Sequence, residues 1–162
     1  MKFFLHIGTE KTGSSFIQSL MTLGRSELLT AGLFVPQGTR RSETAATQGR
    51  ISAGNGELLA SMIEQENWSQ VKNYIDECTK NVQEQNCQRV LISSERLLSP
   101  LSSLGRLEKF QKTISESGVV ATNFLLIVWV PVSRAISLYK HRSKSGRAEP
   151  SVTAKTEGSD RN

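Results

Sequence analysis

Residues 8 to 15 read Gly-Thr-Glu-Lys-Thr-Gly-Ser-Ser and separate an apolar run from an amphipathic segment. The run from Lys2 to Ile7 predicts a central parallel strand buried on both faces, and apolar residues recur at helical spacing from Ser14 to about Leu23. A glycine-containing turn from a strand into a helix directs unpaired backbone N–H groups and the positive end of the helix dipole to one point. With Lys11 inside it, this turn predicts an anion-binding site.

The turn differs from a nucleoside-triphosphate loop, which needs Gly, four residues, then Gly-Lys-Ser/Thr. Gly8 and Gly13 have that spacing, but Ser14 follows the second glycine and the only lysine of the turn is Lys11. A simpler alternative is that Thr12 or Ser14 caps the helix while the lysine is solvated.

The segment Lys-Thr-Gly-Ser-Ser, residues 11 to 15, resembles the 5'-phosphosulfate loop of the sulfotransferases, commonly written Lys-Thr-Gly-Thr-Thr. Serine keeps the hydroxyl that donates to a phosphate oxygen. The resemblance implies a co-substrate, 3'-phosphoadenosine-5'-phosphosulfate, and no metal. It also implies a catalytic role for Lys11, which stabilises negative charge on the leaving oxygen. The implied binding residues of this loop are Lys11, Thr12, Gly13, Ser14 and Ser15.

The alternation of strands and helices predicts a three-layer α/β/α fold with a central parallel sheet, which the resemblance makes P-loop NTPase-like. Ligands of such sheets bind beyond the carboxyl ends of the strands. The predicted elements after the first helix are a helix at Ser26–Thr30, a strand at Leu33–Pro36, a helix at about Asn67–Gln85, a strand at Arg89–Ser93, a helix through Leu104, Leu107, Phe110 and Ile114, and a central strand at Asn123–Val130.

Two further expectations concern burial. Phe16, Ile17, Leu20 and Met21 are predicted to pack in the core. The stretch 37–56 is rich in Gly, Ser, Thr and Arg and predicts a surface loop, with the alternative that its arginines, Arg40, Arg41 and Arg50, face a substrate.

The 162 residues predict one domain over residues 1–142 and a polar, disordered tail over 143–162. The net charge is +5, and most of the excess lies from residue 140 onward. Because no basic stripe is interleaved with aromatic residues, nucleic acid is not a predicted partner. No apolar run reaches the roughly 18 residues of a membrane span, and the N-terminal apolar run is too short for a signal peptide. A cytoplasmic protein is therefore expected.

Cys78 and Cys87 are the only cysteines, nine residues apart with no histidine nearby, which is not a metal-ligand pattern. They are predicted to be reduced thiols, and Cys78 to pack on the apolar face of its helix.

Glu95 follows the predicted strand Arg89–Ser93 and is the candidate general base. Sulfuryl transfer to a hydroxyl or amine needs a group that takes the acceptor's proton, and a carboxylate can do so. The resemblance supports this position, because many bacterial and carbohydrate sulfotransferases place a catalytic glutamate after an inner strand. The alternatives are a capping carboxylate or an ion pair with Arg96.

Residues 126 to 141 resemble the 3'-phosphate-binding strand and helix of the same family. Pro131, Arg134, Ser137 and Tyr139 match the pattern in register, and the resemblance implies that Ser137 binds the 3'-phosphate. Arg134, one helical turn earlier, is the candidate second ligand of that phosphate, with the alternative that it supports the fold. The family's phosphate-binding arginine is replaced by Trp129. Loss of that charged hydrogen bond costs about 1.5 to 3 kcal/mol.

The resemblance covers residues 1 to about 147, and sulfotransferase domains continue beyond it. The expected function is transfer of a sulfuryl group from 3'-phosphoadenosine-5'-phosphosulfate to a hydroxyl or amine acceptor, with inactivity through truncation and Trp129 as an open alternative. Two other classes stay open. One is a non-catalytic nucleotide-binding scaffold. The other is a nucleotide kinase, which would need a lysine after Gly13 and an acidic residue for magnesium.

Overall fold

A computed structural model describes residues 1–9, 14–50, 52–127, 136 and 140. Within these residues the chain forms four strands, seven α-helices and one 3₁₀ turn. In chain order they are β1 (Lys2–Gly8), α1 (Ser14–Leu23), α2 (Arg25–Thr30), β2 (Leu33–Phe34), α3 (Arg40–Thr47), α4 (Glu57–Glu64), α5 (Trp68–Glu84), β3 (Arg89–Ser93), the 3₁₀ turn (Glu95–Leu97), α6 (Leu98–Leu101), α7 (Leu104–Glu116) and β4 (Ala121–Ile127).

The four strands form one all-parallel sheet in the order β2-β3-β1-β4. The predicted α/β class is confirmed, and β1 is an inner strand between β3 and β4. The alignment of β1 with β3 places His6 beside Ser93, so both strands end at the same edge of the sheet.

The last described strand, β4, differs from its prediction as a central strand. Among the described residues it pairs only with β1 and lies at the edge of the sheet. Phe124, Leu125 and Leu126 are exposed there, although their apolar character is typical of a buried strand. The predicted continuation through residues 128 to 130 lies outside the described residues.

The main core lies against one face of the sheet. Alternate residues of β1 and β3 point to this face, as the two-residue period of a strand requires, and apolar stripes of α4, α5 and α7 pack on them. The fully buried members of this core are Phe3, Leu5, Leu59, Ile63, Val71, Ile75, Val90, Ile92, Leu97 and Phe110.

Helix α1 has the predicted bounds but buries a different side. Ser14, Gln18 and Met21 are buried, whereas Phe16 is 69% exposed and Leu20 is 54% exposed. The prediction that Phe16 and Leu20 pack in the core is therefore wrong. Positions 14, 18 and 21 lie on one side of a helix, and two of the three are polar, so the apolar pattern gave the wrong side.

The stretch 37–56 is not a continuous loop. Its first half forms α3, where the side chain of Thr39 accepts a hydrogen bond from the backbone N–H of Ser42 at 3.2 Å and caps the helix. Helix α4 follows directly, and the sequence did not predict it. By contrast, α5, β3 and α7 are confirmed near their predicted positions, with Asn67 capping α5.

The chain divides into two compact units, Met1–Trp129 and Val130–Asn162. The predicted domain boundary at 142 and the predicted tail lie outside the described residues. No helix among the described residues is both long and apolar enough to cross a membrane.

Candidate functional site

The carboxyl ends of β1 and β3 lie side by side at the point where the chain changes direction across the sheet. The strand after β1 lies beyond β3, and the strand after β3 lies beyond β1. In open α/β sheets this reversal separates the two connections and leaves a crevice where ligands bind. The turn at residues 8–15 and the turn at Glu95 both leave from this edge.

Ser14 and Glu95 meet at this edge. Ser14 is the first residue of α1 and is 1% exposed, and its hydroxyl donates a hydrogen bond to the Glu95 carboxylate. Glu95 opens the 3₁₀ turn after β3, and Ser15 is half-buried beside Ser14. The structure thus brings together two residues that are 81 positions apart in sequence and that the sequence placed in one site.

The other predicted site residues cannot be placed against this pair. Lys11, Thr12 and Gly13 of the turn, and Arg134 and Ser137 of the later motif, lie outside the described residues.

In the turn after β3, Ser94 is the cap and Arg96 forms the ion pairs. Ser94 is the N-cap of the 3₁₀ turn and accepts from the backbone N–H of Arg96 at 3.2 Å. Arg96 forms ion pairs with Glu57 at 3.3 Å and Glu64 at 3.8 Å, so the partners recorded for it are on α4. These contacts fix the backbone that carries Glu95.

Residues 52–56, here called the strap, cross over the carboxyl end of β3. The Asn55 carboxamide oxygen accepts from the N–H of Ser93 at 2.7 Å, and the N–H of Gly56 donates to the Ser93 carbonyl at 3.0 Å. The Asn55 amide also donates to two backbone carbonyls, those of Pro36 and Leu91, each at 3.1 Å. The Ser94 hydroxyl donates to the Ala53 carbonyl at 2.7 Å. The strap therefore supplies the hydrogen-bond partners that a neighbouring strand would otherwise give to this end of β3.

Gly54 lets the strap approach this closely. Its φ is +79°, a region that side chains disfavour. A Cβ at this position would overlap the carbonyl oxygen of Ser93 and lie 2.8 Å from the Gln18 amide nitrogen. The strap was not predicted from the sequence, although the triplet Gly54-Asn55-Gly56 is a signal of special backbone geometry.

Buried polar groups lie near Ser93, where the strap crosses β3. His6 is 3% exposed, and its Nδ1 is 2.8 Å from the Ser93 hydroxyl. Its Nε2 and both carboxamide atoms of Gln18 are buried without a hydrogen-bond partner among the described residues. Burial lowers the pKa of His6 below its ordinary value, so the neutral imidazole is favoured.

Glu95 also lines a cavity of about 330 Å³. Its lining residues come from α3, the strap, the start of α4 and the 3₁₀ turn: Arg41, Ser42, Ala45, Ser52, Ala53, Glu57, Glu95 and Arg96. Glu57 accepts from the Ser42 hydroxyl at 2.7 Å and the Thr39 hydroxyl at 3.1 Å. These bonds, together with Arg96, lower the pKa of Glu57, so it is a fixed and compensated anion.

A separate cavity of about 570 Å³ lies between α2, β2, α4 and α5. It contains Tyr74 and Cys78 but none of the predicted site residues, and it is lined from a different part of the fold. Burial raises the pKa of the Cys78 thiol to about 12, which makes it an unreactive packing residue as predicted. Among the described residues, no group of three or more His, Cys, Asp or Glu side chains is arranged to hold a metal ion.

Comparison with known proteins gave no matching family model, no matching curated protein and no matching solved structure.

Proposed function

We propose that this chain is a sulfotransferase with a P-loop NTPase-like fold, which moves a sulfuryl group from 3'-phosphoadenosine-5'-phosphosulfate to a hydroxyl or amine. The observation that carries the proposal is the hydrogen bond between Ser14, at the start of α1, and the carboxylate of Glu95. It brings the start of the anion-binding helix and the candidate base to one point at the carboxyl edge of the sheet.

The residues of this edge suit a sulfated nucleotide. Ser15 carries a hydroxyl at the helix start, and the helix dipole favours a negative group there. The first turn of α1 has no acidic residue of its own, and the acidic group next to it is the Glu95 carboxylate, which accepts the Ser14 hydroxyl. In the proposal, Lys11, Thr12 and Gly13 complete the turn, and Lys11 stabilises the charge that develops on the leaving oxygen.

In the proposal, Glu95 takes the proton of the acceptor. Its side chain accepts the Ser14 hydroxyl and also lines the cavity of about 330 Å³, which is where the proposal places the acceptor. The acceptor oxygen or nitrogen bonds to sulfur while its proton passes to Glu95. The bond from sulfur to the bridging oxygen breaks, and its electron pair stays on the released 3'-phosphoadenosine-5'-phosphate.

Calorimetric titration of the full chain with 3'-phosphoadenosine-5'-phosphate tests the proposal. We expect binding that weakens at least about tenfold in Lys11→Ala, since a charged hydrogen bond is worth about 1.5 to 3 kcal/mol. Lys80→Ala is the matched control, because Lys80 lies on α5, is 74% exposed and faces Glu84. Its affinity should equal that of the unmodified chain.

The same titration with ATP and magnesium separates the competing classes. Magnesium-dependent ATP binding without binding of the 3'-phosphorylated nucleotide would overturn the proposal in favour of a kinase. Binding of neither nucleotide would overturn it in favour of a scaffold. Because Trp129 replaces the family's 3'-phosphate arginine, the affinity is expected to be modest.

A further inference from the structure

Three arginines, here called the arginine surface, lie together beside the candidate site. They are Arg40 and Arg41, at the start of α3, and Arg50, which follows it. All three are exposed and line a shallow cavity of about 660 Å³ with Thr44, Ala45 and Gln48. None of their guanidinium groups has a hydrogen bond or ion pair with a described residue.

The remaining described arginines behave differently. Arg25 binds both carboxylate oxygens of Glu43, at 2.8 and 3.0 Å, and Arg106 pairs with Glu66 at 3.2 Å. Arg96 pairs with α4, and Arg89 donates to a backbone carbonyl. Unpaired arginines are thus concentrated on one surface, where like charges repel one another and attract an anion.

The arginine surface is continuous with the cavity that contains Glu95. Arg41 and Ala45 line both cavities, so a molecule that crosses α3 contacts the guanidinium group of Arg41 and the carboxylate of Glu95. The acidic residue nearest to this path on α4, Glu57, is already bound by two hydroxyls and by Arg96. The charge of the arginine surface is therefore available to a ligand.

We propose that the acceptor is an acidic carbohydrate, whose carboxylate or sulfate groups bind the arginine surface while one of its hydroxyls or amines faces Glu95. This inference rests on the proposed function and names its substrate class. Arginine binds carboxylate and sulfate through two parallel N–H donors, which orients the group as well as attracting it. The two cavities, about 330 and 660 Å³, fall in the size range of small-ligand sites, which suits a few sugar rings.

The lining of the two cavities favours a carbohydrate over a nucleic acid. No aromatic side chain is among the residues that line them within the described chain. Single-stranded nucleic acids are held by stacking of bases on aromatic rings in addition to phosphate contacts. The guanidinium groups without a partner instead match the carboxylate or sulfate groups of an acidic sugar.

Direct binding measurements on the full chain test this inference. The probes are an unsulfated chondroitin hexasaccharide, which carries carboxylates, and maltohexaose, which is neutral. We expect binding of the acidic probe that weakens with added salt, and no measurable binding of the neutral one. The double variant Arg41→Gln/Arg50→Gln should lose at least about tenfold in affinity for the acidic probe.

The matched control is Arg106→Gln/Lys112→Gln, which removes the same charge from α7. It should bind as the unmodified chain does. A second variant, Arg41→Lys/Arg50→Lys, keeps the charge and should retain salt-dependent binding. It also keeps the test informative if the glutamine variant is poorly folded.

The outcomes separate this inference from the proposed function. If 3'-phosphoadenosine-5'-phosphate binds but both sugars bind equally, or the arginine variants change nothing, the acidic acceptor is overturned and the sulfotransferase proposal is not. If the nucleotide does not bind, both are overturned, whatever the sugars do. An RNA hairpin that binds more tightly than the acidic sugar through the same arginines would also overturn the inference.

Discussion

The polar stretch from residue 37 to 56 contains two segments in opposite environments. In the first, Arg40 to Arg50, the arginine side chains are exposed and unpaired with the rest of the described chain. In the second segment, the strap, Ser52 and Asn55 are buried. Hydrogen bonds join the strap to Ser93 and Ser94 at the end of β3 and to Ser42 of α3. Both segments lack an apolar period, and they differ in charge, because the arginines lie in the first and the strap has no charged residue.

The difference is in the partners that each segment finds. A buried polar group costs free energy only when it has no hydrogen-bond partner. The strap crosses a strand end whose N–H and C=O groups need partners, and Asn55 has the carboxamide geometry to meet both. The arginines of α3 have no carboxylate within reach among the described residues, so they stay in solvent.

The two environments suit two tasks. The strap fixes the end of β3 and so the position of Glu95, which the proposed proton transfer requires. The arginine surface keeps unpaired charge, which a ligand-attracting surface requires. Three predictions test this comparison.

The largest effect is expected for Gly54→Ala. Alanine at φ +79° is strained, and its Cβ would overlap the Ser93 carbonyl, so the strap must move away from β3. We expect a loss of about 3 to 5 kcal/mol in the free energy of unfolding. Urea denaturation followed by circular dichroism measures it.

Gly49→Ala is the control for backbone strain alone. Gly49 has φ +64°, but a Cβ there meets nothing within 4 Å. It should cost only about 1 to 2 kcal/mol. If both variants lose the same stability, close packing of the strap on Ser93 contributes nothing and the comparison fails.

The strap is also an example of a buried segment that the apolar pattern of the sequence does not predict. Periodic apolar residues predicted α5, β3 and α7 because those elements face the core directly, as Ile75 and Val90 do. The same rule gave the wrong side of α1, whose buried positions include Ser14 and Gln18. Burial through hydrogen bonding leaves no hydrophobic period, so polar segments that pack are read as loops.

For the candidate site, the sequence placed Ser14 and Glu95 together through two turns at strand ends. Strand ends of one parallel sheet share an edge, which makes that prediction possible from local patterns. It could not predict which residues of α3 line the cavity, because that depends on how the strap folds back.

The second prediction concerns pH and His6, which contacts Ser93 at the strand end that the strap covers. Burial lowers the pKa of His6, so the unfolded chain binds a proton more readily than the folded chain does. Stability is therefore complete above the ordinary pKa of about 6.5 and falls as the pH drops below it, with a slope of at most about 1.4 kcal/mol per pH unit. The loss stops once the pH lies below the lowered folded value.

His6→Asn should flatten this part of the stability curve, because asparagine does not titrate and offers a hydrogen-bonding group to Ser93. The lowered pKa of Glu57 acts only below its ordinary value of 4.5, outside this window. His141→Gln is the control for the other histidine. If the stability curve keeps its slope in His6→Asn and loses it in His141→Gln, the pH dependence comes from His141, and the prediction for His6 is wrong.

The smallest effect is expected for the arginine surface itself. The triple variant Arg40→Gln/Arg41→Gln/Arg50→Gln removes side chains without a recorded polar partner, so the free energy of unfolding should change by at most about 0.5 kcal/mol. Arg25→Gln is the matched contrast, because it breaks a two-point contact with Glu43, and it should cost about 1 to 2 kcal/mol. Thermal and urea unfolding measure both. A triple variant as unstable as Arg25→Gln would mean that these arginines hold the fold together, and their charge would then have a structural use that needs no ligand.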